Sequence, residues 1–201
     1  MNQCIPFEHK IKEIPINKLK KYYKPKIFIG FCKDCKYYNK IWACPPYDFE
    51  TVDLIDPYKY AYIIGSKIYL NKLNGKLKEL LNNDHVEFVV NEIYKSARAV
   101  LDQELMNIEN KESDSKVLFA GRCMMCDICA KGNNKPCIYP DQLRYSLESI
   151  GFDVSLISEE ILEYKMLWSS GKLPEYMILV SAIFSNKAID DSYYSTFIDQ
   201  W

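Results

Sequence analysis

The chain has 201 residues, with 26 lysines and arginines against 27 acidic residues and a formal net charge of −1. That balance excludes the basic footprint of a nucleic-acid binder, because the lysines are scattered among acids as on an ordinary solvated face. Hydrophobic residues make up 48%, enough for a core in a single domain over residues 1–201, so the cysteines are not needed to staple a miniature fold.

The opening Met1-Asn2-Gln3-Cys4-Ile5-Pro6 lacks the charged start and apolar run of a secretory signal. Ile14–Tyr23 reads as a short helix with Leu19, Tyr22 and Tyr23 on one side. Lys26-Ile27-Phe28-Ile29 reads as a short strand ending at Gly30. A cysteine-bearing loop follows, punctuated by Pro45-Pro46 and Asp56-Pro57. Tyr60–Leu70, rich in Tyr and Ile, reads as a strand, and Asn74-Gly75 marks a turn or a helix start. The clearest helix runs from about Asp84 to Ile108, with Val86, Val89, Val90, Ile93, Ala97, Val100, Leu101, Leu105 and Ile108 at helical spacing. Asp84 and Glu87 are spaced as a capping box.

Asn110–Lys116 is polar and reads as a loop, and Val117–Ala120 as a buried strand running into Gly121 and a second cysteine loop. Pro140 opens a predicted helix ending near Ile150-Gly151. Ser158, with Glu159 and Glu160, starts another that ends before Gly171. Tyr176–Phe184 is the last strand. The tail, with Tyr193, Tyr194, Phe197 and Trp201, suits either packing or a partner contact. No apolar segment approaches the roughly 20 residues a membrane helix needs. The expected location is therefore the cytoplasm, where thiols stay reduced and clustered cysteines point to metal or catalysis. Interleaved strands and helices predict an α+β or α/β sandwich: a small sheet packed with helices, carrying two cysteine-rich metal-binding loops at one edge.

Of the eight cysteines, seven fall in two groups. The first is Cys32, Cys35 and Cys44, spaced C-x2-C-x8-C and followed by Pro45-Pro46. The second is Cys123, Cys126, Cys129 and Cys137, spaced C-x2-C-x2-C-x7-C. A C-x2-C turn brings two sulfurs onto one metal centre, with backbone N–H groups turned toward them. One such turn serves zinc or an iron–sulfur cluster equally well. Two overlapping copies place three thiolates close together, as a cubane with irons at separate corners requires, whereas structural zinc usually takes two separated pairs. The ferredoxin pattern is matched incompletely, because its fourth cysteine follows after three residues rather than seven. Cys137 completes the same centre as Cys123, Cys126 and Cys129 on the simplest reading, since all four then come from one continuous loop. Its alternative is a different centre.

The first group offers only three thiols. Cys4 is one candidate fourth ligand, because four plus four uses all eight cysteines, and a small buried or free thiol is an equally good reading of it. His9 is another candidate, and an open iron site for a substrate or partner group is a third. The radical-SAM triplet C-x3-C-x2-C is absent, and a thioredoxin-like dithiol at Cys32–Cys35 or Cys123–Cys126 is a poor second given the neighbouring cysteines. Tyr37, Tyr38, Trp42, Pro45, Pro46 and Tyr47 frame the first group as loop packing or as a lid that keeps water from a metal. Lys33, Lys36, Arg122 and Lys131 are placed in sequence to offset the charge of such a centre.

At Cys32-x2-Cys35, Tyr38, Lys40-Ile41-Trp42-Ala43-Cys44-Pro45-Pro46 and Gly121-Arg122-Cys123-x2-Cys126-x2-Cys129 the sequence resembles a prokaryotic family of predicted metal-binding proteins of unknown function. The resemblance continues through Pro136-Cys137-x2-Pro140, Ser146-Leu147-Glu148 and Gly151-Phe152-Asp153-Val154. It implies metal binding at the seven grouped cysteines and supplies no reaction. Cys4 is not part of the pattern, which weakens the four-plus-four scheme.

The leading expectation is an iron–sulfur protein with one or two [4Fe-4S] clusters that moves electrons beside a redox protein partner. Against it stands a zinc-stabilised structural or regulatory module, with Cys32, Cys35, Cys44 and one further ligand as a tetrahedral site. An enzyme using an open metal position is a third reading. No phosphate-cradling glycine loop, serine nucleophile elbow or His-Glu metalloprotease motif accompanies it.

Overall fold

The computed structural model describes residues 7–73, 79, 86–167 and 173–189. Cys4, Asn74-Gly75, Asp84, Gly171 and the aromatic tail from Tyr193 to Trp201 lie outside them. Four strands form one antiparallel sheet in the order β1-β2-β4-β3. They are β1 (Phe7–Pro15), β2 (Tyr60–Tyr69), β3 (Ser115–Leu118) and β4 (Tyr176–Ser185). The long central pair runs in register from Tyr60 opposite Ser185 to Tyr69 opposite Tyr176. The architecture is α+β, and the antiparallel pairing decides against the α/β alternative.

Both faces of the sheet are covered, which is why β2 and β4 are nearly continuous apolar runs rather than alternating ones. On one face, Tyr62, Ile64, Ile68, Leu179 and Ile183 pack against the long helix α3 (Val86–Lys111). Its Val89, Ile93, Ala97, Leu101, Leu105 and Ile108 make a single buried stripe at helical spacing. On the other face, Ala61, Ile63, Val180, Ala182 and Phe184 meet α1 (Ile16–Leu19) and α4 (Val154–Glu160), together with Leu147, Ile150 and Phe152. Each large aliphatic side chain so enclosed contributes about 1.5–3 kcal/mol of transfer free energy. Gly65 faces this second layer closely: an added methyl would come 2.7 Å from Leu162 Cδ1.

Four expectations are corrected. Residues 26–29 are not a strand but part of helix α2 (Pro25–Cys32). Pro25 at its first turn is preset for a helix, among the described residues no strand pairs with this segment, and Ile27 and Phe31 stay largely exposed. The helix expected from Pro140 to Ile150 is only a 3-10 turn, Pro140–Gln142. Beyond it, Ser146 and Ser149 bond each other's backbone and hold a tight turn instead. Helix α4 begins at Val154, capped by Asp153, whose side chain accepts from the Leu156 N–H at 3.1 Å. Ser158 lies inside it and donates to the Tyr164 carbonyl at 2.8 Å. Finally, the loop predicted over 110–116 is shorter, since α3 runs to Lys111 and β3 starts at Ser115. Strand β1 was not foreseen. Its Phe7 and Ile11 turn toward the α3 layer, while charged Glu8, Lys10, Lys12 and Glu13 blunt a sheet edge. Among the described residues no helix is long and apolar enough to cross a membrane.

Candidate metal centre

The first cysteine loop grows directly from α2, whose last residue is Cys32. It advances by successive turns, with backbone N–H to carbonyl bonds from Cys35 to Cys32, Tyr38 to Cys35, Lys40 to Tyr37 and Cys44 to Ile41. Asn39, in the left-handed region at φ 55°, lets the chain reverse. Its N–H closes the loop on the Pro45 carbonyl at 2.8 Å. Three thiols thus sit on one wound segment. Cys35 is exposed, and Cys32 and Cys44 are half-buried.

The second loop leaves the sheet through Phe119, which bridges to Ser146, and turns at Gly121 with φ 79°. An added methyl at Gly121 would lie 2.7 Å from the Tyr94 hydroxyl, so only glycine fits this close approach. Cys123, Cys126 and Cys129 follow, all half-buried, and Cys129 opens a 3-10 turn over Ala130–Asn133. The Lys135 N–H returns to the Ala130 carbonyl at 3.0 Å, which brings Cys137 back. Cys123, Cys126, Cys129 and Cys137 all line one cavity of about 330 Å³, with Ile41, Trp42 and Leu143 among its apolar walls.

The two loops are docked on each other. Trp42 donates its indole N–H to the Lys135 carbonyl at 3.0 Å. The Lys131 ammonium donates to the carbonyls of Cys44 at 3.1 Å and Pro46 at 3.2 Å, and it lies over the Trp42 ring. Arg122 stacks over Tyr37 with 4.7 Å to the ring centroid. Lys131 and Arg122, two of the cations expected near the centre, therefore tie the loops together. Lys36 lies over the Tyr37 ring.

Burial pushes the Cys44 thiol up to about 12, with the charges of Cys32, Cys35 and Cys123 adding to it and Lys131 opposing. Burial also raises Cys32, aided by Cys35 and by Glu148. Cys123 is raised by burial and by Cys129, Cys126 and Cys137, against a hydrogen bond from the Met125 N–H. Cys126 is raised by burial and by Cys129, Cys137 and Asp127. The thiols are thus near enough to feel one another's charge within each group, and the groups meet at Cys44 and Cys123. Left to themselves Cys32, Cys44, Cys123 and Cys126 are protonated at neutral pH, and a cation among them would reverse that preference. Among the described residues, no three Cys, His, Asp or Glu side chains converge on a point where one ion would touch them all.

His9 is remote from this region. It lies on β1, paired with Ser66, whose hydroxyl is 2.9 Å from its Nδ1. Burial lowers its pKa to about 4. Cys4 lies outside the described residues.

Sequence reasoning missed the residue that holds the second loop. Arg98 projects from α3 with none of its surface exposed. It forms a two-point ion pair with Asp102 at 2.8 Å through Nε and Nη2. Nη1 donates to the Tyr94 hydroxyl at 2.8 Å, to the Ala120 carbonyl, and to the Arg122 carbonyl at 3.2 Å. The available signal was an Arg inside the apolar stripe of α3 with an Asp four residues on. Glu148 was quoted only within a motif. Its Oε2 is buried without a hydrogen-bond partner, and burial raises its pKa despite a Ser146 hydrogen bond and the charge of Arg98.

No curated protein and no solved structure matches the chain. A family model does match, over residues 18–184, and it takes in all seven grouped cysteines and Glu148 while Cys4 falls before it. The chain belongs to the family described as predicted metal-binding protein (DUF2284), a domain of unknown function.

Proposed function

We propose that this metal-binding protein is an iron–sulfur protein that passes electrons to or from a redox partner, with a [4Fe-4S] cluster held by Cys123, Cys126, Cys129 and Cys137. The observation that carries the reading is that these four thiols line one cavity while belonging to one overlapping C-x2-C-x2-C loop. The donor set fits: four soft thiolates, a half-buried pocket and apolar walls are what a cubane needs. When bound, such a cluster accepts and releases single electrons. The chain's own contribution is to hold the loop from behind through Arg98 and to limit water with Ile41, Trp42 and Leu143.

Exposed apolar side chains support a partner surface on or beside the cysteine loops. Ile27, Phe31, Trp42, Met125, Ile128, Ile138 and Tyr139 all lie there, and Ile128 is 78% exposed. A reducing compartment such as the cytoplasm would keep the thiols available. Zinc remains the second reading for the first loop, whose three thiols suit a tetrahedral site with one further donor.

Purification without oxygen, followed by measurement of iron, acid-labile sulfide, zinc and the visible spectrum, tests the proposal. A brown protein with about four irons and four sulfides per filled site, bleached reversibly by a reductant, is expected. Stoichiometric zinc without sulfide overturns it.

A further inference from the structure

A second cavity, of about 1570 Å³, lies between α3, the entrance to β4 and both cysteine loops. We infer that it is a binding site for a small organic monoanion with an aromatic body, held beside Cys126. The inference goes beyond the electron-transfer reading and stands whichever metal the loops hold.

Three observations carry it. First, this cavity shares a wall with the one lined by the four thiols. Tyr37, Arg122, Cys126 and Asp127 line both. A molecule in the larger cavity is therefore separated by single side chains from the place proposed for the cluster.

Second, the lining divides by chemistry. Leu70, Val90, Leu173 and Met177 belong to the apolar layer around α3 and supply a floor. Tyr37, Phe88 and Tyr94 add aromatic rings to it, and Phe88 is 59% exposed. Flat ring systems gain both from aromatic faces and edges and from methionine sulfur. An apolar cleft with a few convergent polar groups is the usual form of a small-molecule site, commonly about 300–1,000 Å³ in volume. The larger volume here admits a body of two or three linked rings.

Third, the cations gather at one end with a small positive excess. Tyr94 donates to the Ala120 carbonyl at 3.1 Å, which brings that end of the α3 face beside Arg122. Arg122 gives a hydrogen bond to the Cys123 carbonyl at 3.2 Å and stacks over Tyr37. Lys36 lies over the same ring. Neither cation has an ion-pair partner among the described residues. Lys95 is already paired with Glu92 at 2.9 Å. Of the two acids in the lining, Asp127 offsets one of the two unpaired cations, and Glu87 lies about two helical turns from Tyr94. One positive charge is left over, which suits a head group of single negative charge. A carboxylate or sulfonate meets that need, and the guanidinium of Arg122 can hold it at two points.

The test titrates the full-length chain, purified without oxygen and with its metal in place, with anilinonaphthalene sulfonate. Calorimetry is the readout, since a coloured protein does not disturb it. One molecule per chain is expected. R122Q should weaken binding about tenfold, the worth of a charge-assisted hydrogen bond, and K36Q should weaken it less. N91W sets an indole into the cavity from an exposed position on α3, and it too should weaken binding by about tenfold or more. I128S alters the exposed apolar surface beside the second loop and should change nothing. Phenylnaphthylamine, the same ring body without the sulfonate, should bind at least about tenfold more weakly than the anion. Metal is counted on every variant. Asn91 lies outside both cysteine loops, so N91W decides the matter where R122Q disturbs the metal. No binding, several equivalent molecules per chain, loss of binding in I128S, or an affinity indifferent to N91W or to the sulfonate overturns the inference.

Discussion

Arg98, sealed inside the α3 layer, donates through both Nη1 and Nη2 to the carbonyl of Arg122 at 3.2 Å, the residue immediately before Cys123. A helix that builds the core therefore also fixes where the second cysteine loop begins. Placement of the second cysteine loop and core stability share one side chain, and several measurable consequences come from that.

Replacing Arg98 with Met should lower the stability of the metal-free protein by about 3–5 kcal/mol, because Asp102 is then left buried without its partner. The second loop should lose metal at the same time. R98K should recover little, since an ammonium cannot span Asp102 and two carbonyls as the planar fork does. The double variant R98M/D102L should recover part of the stability in urea unfolding but not the metal. Equal recovery of both would show that the clamp is irrelevant to the loop.

Gly121→Ala should cost about 1–2 kcal/mol from its left-handed backbone alone. The added methyl also presses on Tyr94, which shares the Ala120 carbonyl with Arg98. Metal should be lost selectively from the second group, as read by metal analysis. Unchanged metal content would place the loop's anchoring elsewhere.

Trp42→Phe keeps an aromatic ring, though a smaller one, and deletes the indole N–H that holds Lys135. Chelator competition should show roughly 5–10-fold weaker metal retention, with little change in the stability of the metal-free chain.

The raised thiols give a pH dependence with a definite sign. Cys32, Cys44 and Cys123 release protons at higher pH when folded without metal than when unfolded, so the metal-free fold loses stability as pH rises. The loss begins at about 8.5, the ordinary thiol value, and continues toward the Cys44 value of about 12. Metal binding runs the other way: it removes the protons, so affinity should rise with pH and binding should release acid into unbuffered solution. At the acid end, His9 is held near 4 by burial. The unfolded chain takes up its proton first, from about 6.5 downward, so roughly 2 kcal/mol should be lost between there and pH 4. H9Q should flatten that limb of the urea-midpoint profile.

Stripping the metal should loosen the two loops and leave the sheet intact. Amide exchange should accelerate over residues 32–47 and 121–137, while β2 and β4 keep their protection. Uniform acceleration across the sheet would mean that the metal holds the whole fold.

Where hydrophobic pattern and burial coincide, the sequence was readable. The stripe from Val89 to Ile108 and the runs at Tyr60 and Tyr176 became α3, β2 and β4 because each is long and mostly enclosed. The failures have physical reasons. Ile27, Phe28 and Ile29 look like a strand by composition, yet they occupy a half-exposed helix that Pro25 initiates. The stretch after Pro140 has helical residues, but its serines turn on their own backbone. Strand β1 hides because an edge strand full of charge carries only a weak apolar alternation. Cys123, Cys126, Cys129 and Cys137 line one cavity, a nearness that their short spacing already suggests. The Arg98 and Asp102 pair showed in the sequence only as an Arg in an apolar stripe; its hold on the second loop did not, since Ala120 and Arg122 lie more than twenty residues away.

The charged border along β1 has a bearing on quaternary organisation. Glu8, Lys10, Lys12 and Glu13 decorate the outermost strand, and Pro15, which has no N–H to donate, stands at its end. A second chain attempting to extend the sheet there meets a row of solvated charges rather than a receptive template. The surface of opposite character is the set of exposed apolar side chains beside the cysteines, so a redox partner of the kind proposed above would approach the same end of the molecule as the proposed cluster rather than the sheet edge.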